Sequence, residues 1–408
     1  MGPGFSPLDE ELGLLPGALT PRLHEGLVRL GAEIPFGRAA ALFARFTGVP
    51  VSEATARRLT EAAGAAAVLV AAAEVARLER AAPPPPPGPA VQQVSVDGAM
   101  APLVGGEWAE VKTLVVGVVA DRAGEPGLTA PSYFCRLADH ATFTRLALGE
   151  LHRRGTEAAG TVVGIADGAE WCQGFLDAHR PDAVRILDFP HAVEHLAAAA
   201  QAAFGSGTPV QADWLAAQAT ALKRDGPAGV LAALRALPIA TAPDPVMAAT
   251  DRDGCLAYLE RRLGQLEYPA FIAAGYPIGS GAVESANKLV VEARLKGAGM
   301  RWARRHVDPV LALRGAVCSD RWDADWPATA TELRMSARRR RAELRAARPS
   351  PGASPVPATA PPPPPRPRPD RAIPCTRASG TPTFTHGRPT AAHPWKRTFR
   401  QPPPAPEL

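Results

Sequence analysis

Five consecutive prolines, 83–87, sit inside AAPPPPPGPA and separate two kinds of pattern. Proline fixes its own φ and lacks the N–H that helix and sheet both use. Such a run is extended and stiff, so neither element crosses it. Before it, apolar residues recur at helical spacing. After it, they alternate with period two. The sequence therefore predicts a helical segment over 1–82, a Pro-rich linker over 83–90 and a strand-bearing body from 91 onward.

In the first segment, LTPRLHEGLVRLGAEIP spaces Leu19, Leu23, Leu27 and Leu30 along one helix face. A second helix carries Ala40, Leu42, Phe43 and Phe46 and stops at Gly48. Ser52 is placed to cap a third, with Glu53 to Thr55 in its first turn and Arg57 and Arg58 just behind. Helix, short Gly-containing turn and capped helix form the outline of a helix-turn-helix, with Arg57 and Arg58 as candidate DNA contacts. An ordinary helical hairpin fits the same pattern equally well.

Beyond the linker, VQQVSVDGAMAPLV, WAEVKTLVVGVVAD and PSYFCRLAD read as three strands. A helix over ATFTRLALGELHRRGTEAA follows, then the strand TVVGIAD, the helix CQGFLDAHRP and the strand AVRILDF. This β-β-β-α-β-α-β order is that of a ribonuclease-H-like core, an order other α/β sheets share. Residues 192–274 are Ala- and Leu-rich and read as an all-helical insertion, with TAPDPVMAATDRDG as its polar turn region. A Gly279-Ser280-Gly281 turn, a long amphipathic helix and a second helix complete the core over 275–326. Order is expected to fade after Trp326.

Three acids occupy telling places. Asp97 lies on the first strand before Gly98, Asp167 ends the fourth strand before Gly168, and Glu284 opens the helix after the Gly/Ser turn. In the topology above, the three carboxylates converge. Clustered carboxylates repel one another unless a cation neutralises them. Oxygen ligands without thiolate suit Mg²⁺ or Mn²⁺. Each acid taken alone also fits a turn or cap role beside glycine.

LDFPHAVEHL adds Asp188, His191 and His195, the two histidines on one helical face. No fourth zinc ligand is visible, so capping and hydrogen bonding are the expected roles. Lys288, Arg294, Lys296, Arg301, Arg304 and Arg305 line the closing helices as candidate contacts to a DNA backbone, or as a solvated face. Trp171 and Trp302 are more simply read as core residues than as base-stacking groups.

The blocks VSVDGAMAPLVGGEWAEVKTL, VVGIADGAEW, RILDFPHAVEHLA and YPIGSGAVESANKLVVEARLKGAGMRW resemble the ISKra-type insertion-sequence transposases, Mutator-like relatives of the DDE enzymes. The resemblance spans about 1–326 and includes PLDEELGLLPGALTPRL. It implies a catalytic and metal-binding triad of Asp97, Asp167 and Glu284, and a D-x-x-H pair at Asp188 and His191. It also implies a helical insertion between the second Asp and the Glu. The expected reaction is metal-dependent DNA cleavage and strand transfer with Mg²⁺ or Mn²⁺. The expected partners are transposon ends and target DNA, met as a homo-oligomer. This chain departs from the pattern in lacking a Cys-rich segment before PLDEEL and in placing Pro190 where the family favours Tyr. A catalytically inactive DNA-binding relative, or another ribonuclease-H-like nuclease, are the alternative readings.

Charge is split along the chain. Residues 327–408 hold 15 Arg/Lys against 4 Asp/Glu, while residues 1–326 hold 30 against 36. A basic tail meets polyanions such as DNA or stays solvated. With 19 prolines in its last 60 residues, it predicts a disordered tail. The five cysteines are scattered and form no CxxC, which argues against a disulfide scaffold or a zinc knuckle. With no charged-then-apolar leader and no membrane anchor expected, a cytoplasmic, nucleoid-associated protein is the expectation.

Overall fold

The computed structural model describes residues 14–16, 18–122 and 124–347, together with 384–385 and 388–389. The described residues up to Ala347 form one compact mixed α/β unit. A second unit, 348–408, is described only at β6 (Phe384–Thr385) and β7 (Arg388–Pro389), which pair antiparallel. The rest of the Pro-rich tail, Cys375 and the start of PLDEEL lie outside the described residues.

Three helices open the chain: α1 (Pro21–Glu33), α2 (Phe36–Thr47) and α3 (Glu53–Ala81). Gly48 ends α2 in the left-handed region, and the Ser52 hydroxyl accepts from the Thr55 amide at 3.1 Å to start α3. Such a cap contributes about 1 kcal/mol. By length and composition α3 could cross a membrane. Here Leu59, Ala63 and Ala66 pack instead with Leu27, Val28 and Phe43.

The sheet is built from β1 (Val91–Pro102), β2 (Trp108–Arg122), β3 (Glu125–Arg136), β4 (Thr161–Ala166) and β5 (Val184–Leu187). Its order is β3-β2-β1-β4-β5. The first three strands form an antiparallel meander, and β4 and β5 run parallel to β1. Helices α4 (His140–Arg153) and α5 (Glu170–His179) connect β3 to β4 and β4 to β5. The order expected for residues 91–191 is thus the order found.

Period two decides which layer each side chain joins. Val162 and Ala166 of β4 pack with Phe143 of α4 and Phe175 of α5. Val163 and Ile165 face the other way, onto Leu196, Leu234 and Tyr268 of the insertion. That insertion comprises α6 (Phe189–Phe204), α7 (Pro209–Asp225), α8 (Pro227–Arg235), α9 (Pro245–Glu260) and α10 (Tyr268–Ala273).

The closing segment begins with α11 (Gly281–Ala286), which widens into a π turn over Asn287–Glu292 and ends in the helical turn Ala293–Leu295. It continues as α12 (Arg304–Cys318) and α13 (Trp322–Ala346). Val290, Val291, Val307 and Val310 cover Ala99, Ala101 and Val111 of the sheet.

Four expectations are corrected. The Pro-rich run does not divide the chain into separate bodies: Leu313, Trp322 and Leu333 of α12 and α13 complete the core of α1–α3. A Cβ at Gly64 of α3 would lie 2.1 Å from the Pro309 carbonyl oxygen, which shows how closely α3 and α12 meet. The end of the run is also tied down, since the Gly160 amide donates to Pro89 at 3.0 Å.

Next, the polar turn expected over 241–254 is mostly helix, because Asp244 caps α9 through the Val246 and Met247 amides. The long helix expected after the Gly/Ser turn runs unbroken over 281–295, but its middle is wound as a π turn that the sequence pattern did not show. Order, finally, does not fade at Trp326. Pro327 removes one bond of the helical ladder, but Thr329, Glu332 and Leu333 are buried beyond it, so α13 runs on. The Arg338–Arg341 cluster therefore rides on a helix.

Candidate functional site

Asp97 sits on β1 just beyond its last pairing with β4, at Val94–Gly164. One carboxylate oxygen accepts from the Gly98 amide at 2.7 Å, the other from the Asn287 side-chain amide at 2.7 Å. Asp167 follows directly on β4. Its Oδ1 accepts from the Ala169 amide at 2.9 Å, and Cys172 Sγ lies 3.6 Å away. Glu284 is exposed on α11, with no side-chain hydrogen bond or ion pair among the described residues.

The charges of the other two acids reach Asp97. Burial raises the Asp97 carboxyl above its ordinary range, and the negative charges of Asp167 and Glu284 raise it further; the Gly98 and Asn287 bonds oppose the shift. The nearest cation by strand register is Lys112, opposite Gly98, and it is paired with Glu110 at 2.5 Å. The result is a set of acidic oxygens with a local excess of negative charge. Hard oxygen donors in that condition suit a divalent cation. The oxygens are not drawn into a ready cage: among the described residues, no three His, Cys, Asp or Glu side chains are grouped closely enough to hold an ion.

Asp188 does structural work beside them. It is the N-cap of α6, taking the His191 amide at 3.2 Å on one oxygen. The other oxygen takes the Ser280 amide at 2.5 Å. With the Phe189 amide bonded to Ile278 at 3.0 Å, this fixes the turn from which Glu284 springs. Burial raises the Asp188 carboxyl as well, with Glu284 adding to the shift and the amide bonds opposing it. His191 lies 3.3 Å from Glu194, and His195 stacks on Tyr258 at 3.8 Å. Both oxygens of Asp188 thus accept from backbone amides, the capping role expected of it.

The cationic candidates divide. Arg57, Arg58, Lys288, Arg301, Arg304 and Arg305 are exposed, and Lys296 pairs with Glu292 at 2.6 Å. Arg294 is a correction: only 1% exposed, it donates Nε and Nη2 to the Gly31 carbonyl at 3.1 and 2.9 Å. Its guanidinium sits 4.6 Å from Phe36 and 4.9 Å from Trp302. Desolvation lowers its pKa to about 10, with the Arg314 charge helping. Arg294 is a core residue and cannot meet DNA. Trp302 is buried too, its indole N–H donating to Leu295 at 3.1 Å. Trp171 packs on Phe143 and under the Lys112 ammonium.

Sequence reasoning missed Asn287, Ser280, Tyr258 and Arg262. Asn287 is three residues after Glu284, on the same helical face, so its place beside the acids was available from spacing. Its Oδ1 is buried and has no hydrogen-bond partner. The π turn that starts at Asn287 is a distortion common at functional sites. No protein-family model matches the chain, and no curated protein matches it.

Proposed function

We propose that the chain is a DDE-type DNA transposase with a ribonuclease-H-like core, acting as a homo-oligomer on DNA. The observation that carries this reading is that the charges of Asp167, just past β4, and Glu284, on α11, both act on the half-buried carboxyl of Asp97 on β1. The sheet order β3-β2-β1-β4-β5, with a helical insertion between the second and third acids, is in keeping with it. So are the ISKra-type sequence blocks.

In this reading Asp97, Asp167 and Glu284 hold Mg²⁺ or Mn²⁺. A bound pair of such ions supplies activation of an attacking oxygen and stabilisation of a leaving one at phosphorus. Asn287 and Gly98 orient the Asp97 carboxylate, and Asp188 holds the turn that presents Glu284. Exposed Arg301, Arg304 and Arg305 lie at the start of α12, where they neutralise backbone phosphates. Arg57 and Arg58 offer a second cationic surface at the start of α3.

The test is incubation of the full chain and Mg²⁺ with DNA carrying the ends of its own element. The reading expects strand cleavage followed by joining of the freed 3′ end to a second DNA. Cleavage without joining favours a ribonuclease-H-like nuclease. Binding without cleavage favours an inactive DNA-binding relative.

A further inference from the structure

The loop behind Asp167 is held by residues about ninety positions later in the chain. Tyr258, in the last turn of α9, donates its hydroxyl to the Asp167 carbonyl. Arg262, just past the end of α9, donates Nε and Nη2 to the Gly168 carbonyl at 3.2 and 2.6 Å. Its Nη1 returns to the Tyr258 carbonyl at 2.9 Å, so the two residues are locked to each other.

The Tyr258 ring is itself clamped. The Arg262 guanidinium lies 4.0 Å from its centre, and the His195 ring stacks on it at 3.8 Å and 20°. Gly168 completes the fit. Its φ is +81°, and a Cβ there would fall 2.4 Å from Arg262 Nε and 2.9 Å from Tyr258 Oη. A larger residue would collide with both partners and strain the backbone.

Attachment of the insertion does not require these bonds. Leu196, Leu234, Leu259 and Tyr268 already pack against Val163, Ile165 and Ile186 of the sheet. The added bonds all fall on the two consecutive carbonyls of Asp167 and Gly168. The Asp167 carboxylate takes its orientation from this same loop, through the Ala169 amide.

We propose that the helical insertion latches the Asp167 loop, with Tyr258 and Arg262 as positioning residues that fix the carboxylate for a divalent cation. This rests on the reading of Asp167 as a metal ligand. Groups that orient a ligand from behind typically change metal affinity about 10–100-fold when removed.

The experiment is calorimetric titration of Mn²⁺ into the full chain, with melting temperature followed in parallel. Wild type should bind, and Asp167→Asn should lose binding. Arg262→Met should weaken Mn²⁺ by roughly tenfold or more and Tyr258→Phe by severalfold. Arg262→Lys should recover part of the loss, since one ammonium can still reach the Gly168 carbonyl. Wild-type affinity in Arg262→Met, with binding lost in Asp167→Asn, would overturn the latch and leave the ligand reading standing. Unchanged affinity in Asp167→Asn, or no binding by wild type, would overturn both. Should Arg262→Met fail to fold, Tyr258→Phe carries the test, because it removes one hydroxyl at constant shape. Unchanged Mn²⁺ affinity in that variant would overturn the latch.

Discussion

Arg294 and Glu284 belong to the same closing segment, and the fold treats their charges in opposite ways. Arg294 is enclosed, its guanidinium donating to Gly31 and lying against Phe36 and Trp302. Arg321 is likewise settled on the buried Glu150 carboxylate at 2.6 and 2.8 Å, and Arg314 on the Leu289 carbonyl. At the other end of the segment, Glu284 stands exposed, and its negative charge acts on Asp97 together with that of Asp167. Desolvating a charge costs several kcal/mol unless partners replace the lost water. The core between α1 and α12 meets part of that cost for Arg294 with one carbonyl and two aromatic faces, and its lowered pKa shows the remainder. At the other site Asp97 and Asp167 accept from Gly98, Asn287 and Ala169, while Glu284 keeps its water.

The comparison is broken most severely by removing the unsettled charges. Asp97→Ala, Asp167→Ala and Glu284→Ala should each lower Mg²⁺-dependent strand cleavage roughly a thousandfold, the loss of several kcal/mol of transition-state stabilisation. DNA affinity should stay near wild type in a gel-shift titration. A variant that still cleaves at the wild-type rate would move its acid to the settled group.

Removing a settled charge should do the reverse. Arg294→Met leaves the Gly31 carbonyl unpartnered, so urea unfolding should show a loss of roughly 1–3 kcal/mol. Any activity loss should follow the unfolded fraction alone. If Arg294→Met instead kept full stability and lost DNA binding, the division between settled and unsettled charges would be wrong.

The same core excludes a further charge. His24 is buried with neither ring nitrogen partnered, and burial, helped by the Arg58 charge, lowers its pKa to about 4. A base whose folded pKa lies below its unfolded value stabilises the fold fully above pH 6.5. That contribution is lost as pH falls from 6.5 towards 4. The loss should be on the order of 3 kcal/mol, and His24→Phe should flatten the stability profile over this window. An unchanged slope in that variant would remove His24 from the account.

The smallest stability effect is expected at the exposed cations. Arg301→Ala, Arg304→Ala and Arg305→Ala should each change stability by less than about 0.5 kcal/mol. Together they should reduce the salt dependence of DNA binding by roughly two to three counterions. An unchanged salt slope would show that this surface is only solvated.

How much of the molecule was legible in its sequence depends on how local each cause is. The five strands follow from period two and their glycine and proline boundaries, so their order could be read directly. Asp167 and Glu284 stood out because each flanks a turn signal at an element end, and Asp97 because it precedes a glycine inside the strand β1. Arg294 could not be told from Arg301 or Arg304, since its burial depends on Gly31 and Phe36 far away in sequence. The reach of α13 was hidden for a similar reason: Pro327 and the Arg run look like an unfolded tail until Leu333 is seen in the α1–α3 core. Tyr258 and Arg262 carry no local mark at all, because their partners lie 91 and 94 residues away.

The central claim is the proposal that Asp97, Asp167 and Glu284 together take up a divalent cation. The most direct measurement is thermal unfolding at neutral pH, with and without Mg²⁺, of wild type and of Asp97→Asn, Asp167→Asn and Glu284→Gln. A ligand at about a hundred times its dissociation constant stabilises by about 2.7 kcal/mol. The account predicts a gain of that order in the wild type and the loss of most of it in each variant. An equal Mg²⁺ gain in all four proteins, or none in the wild type, would contradict it.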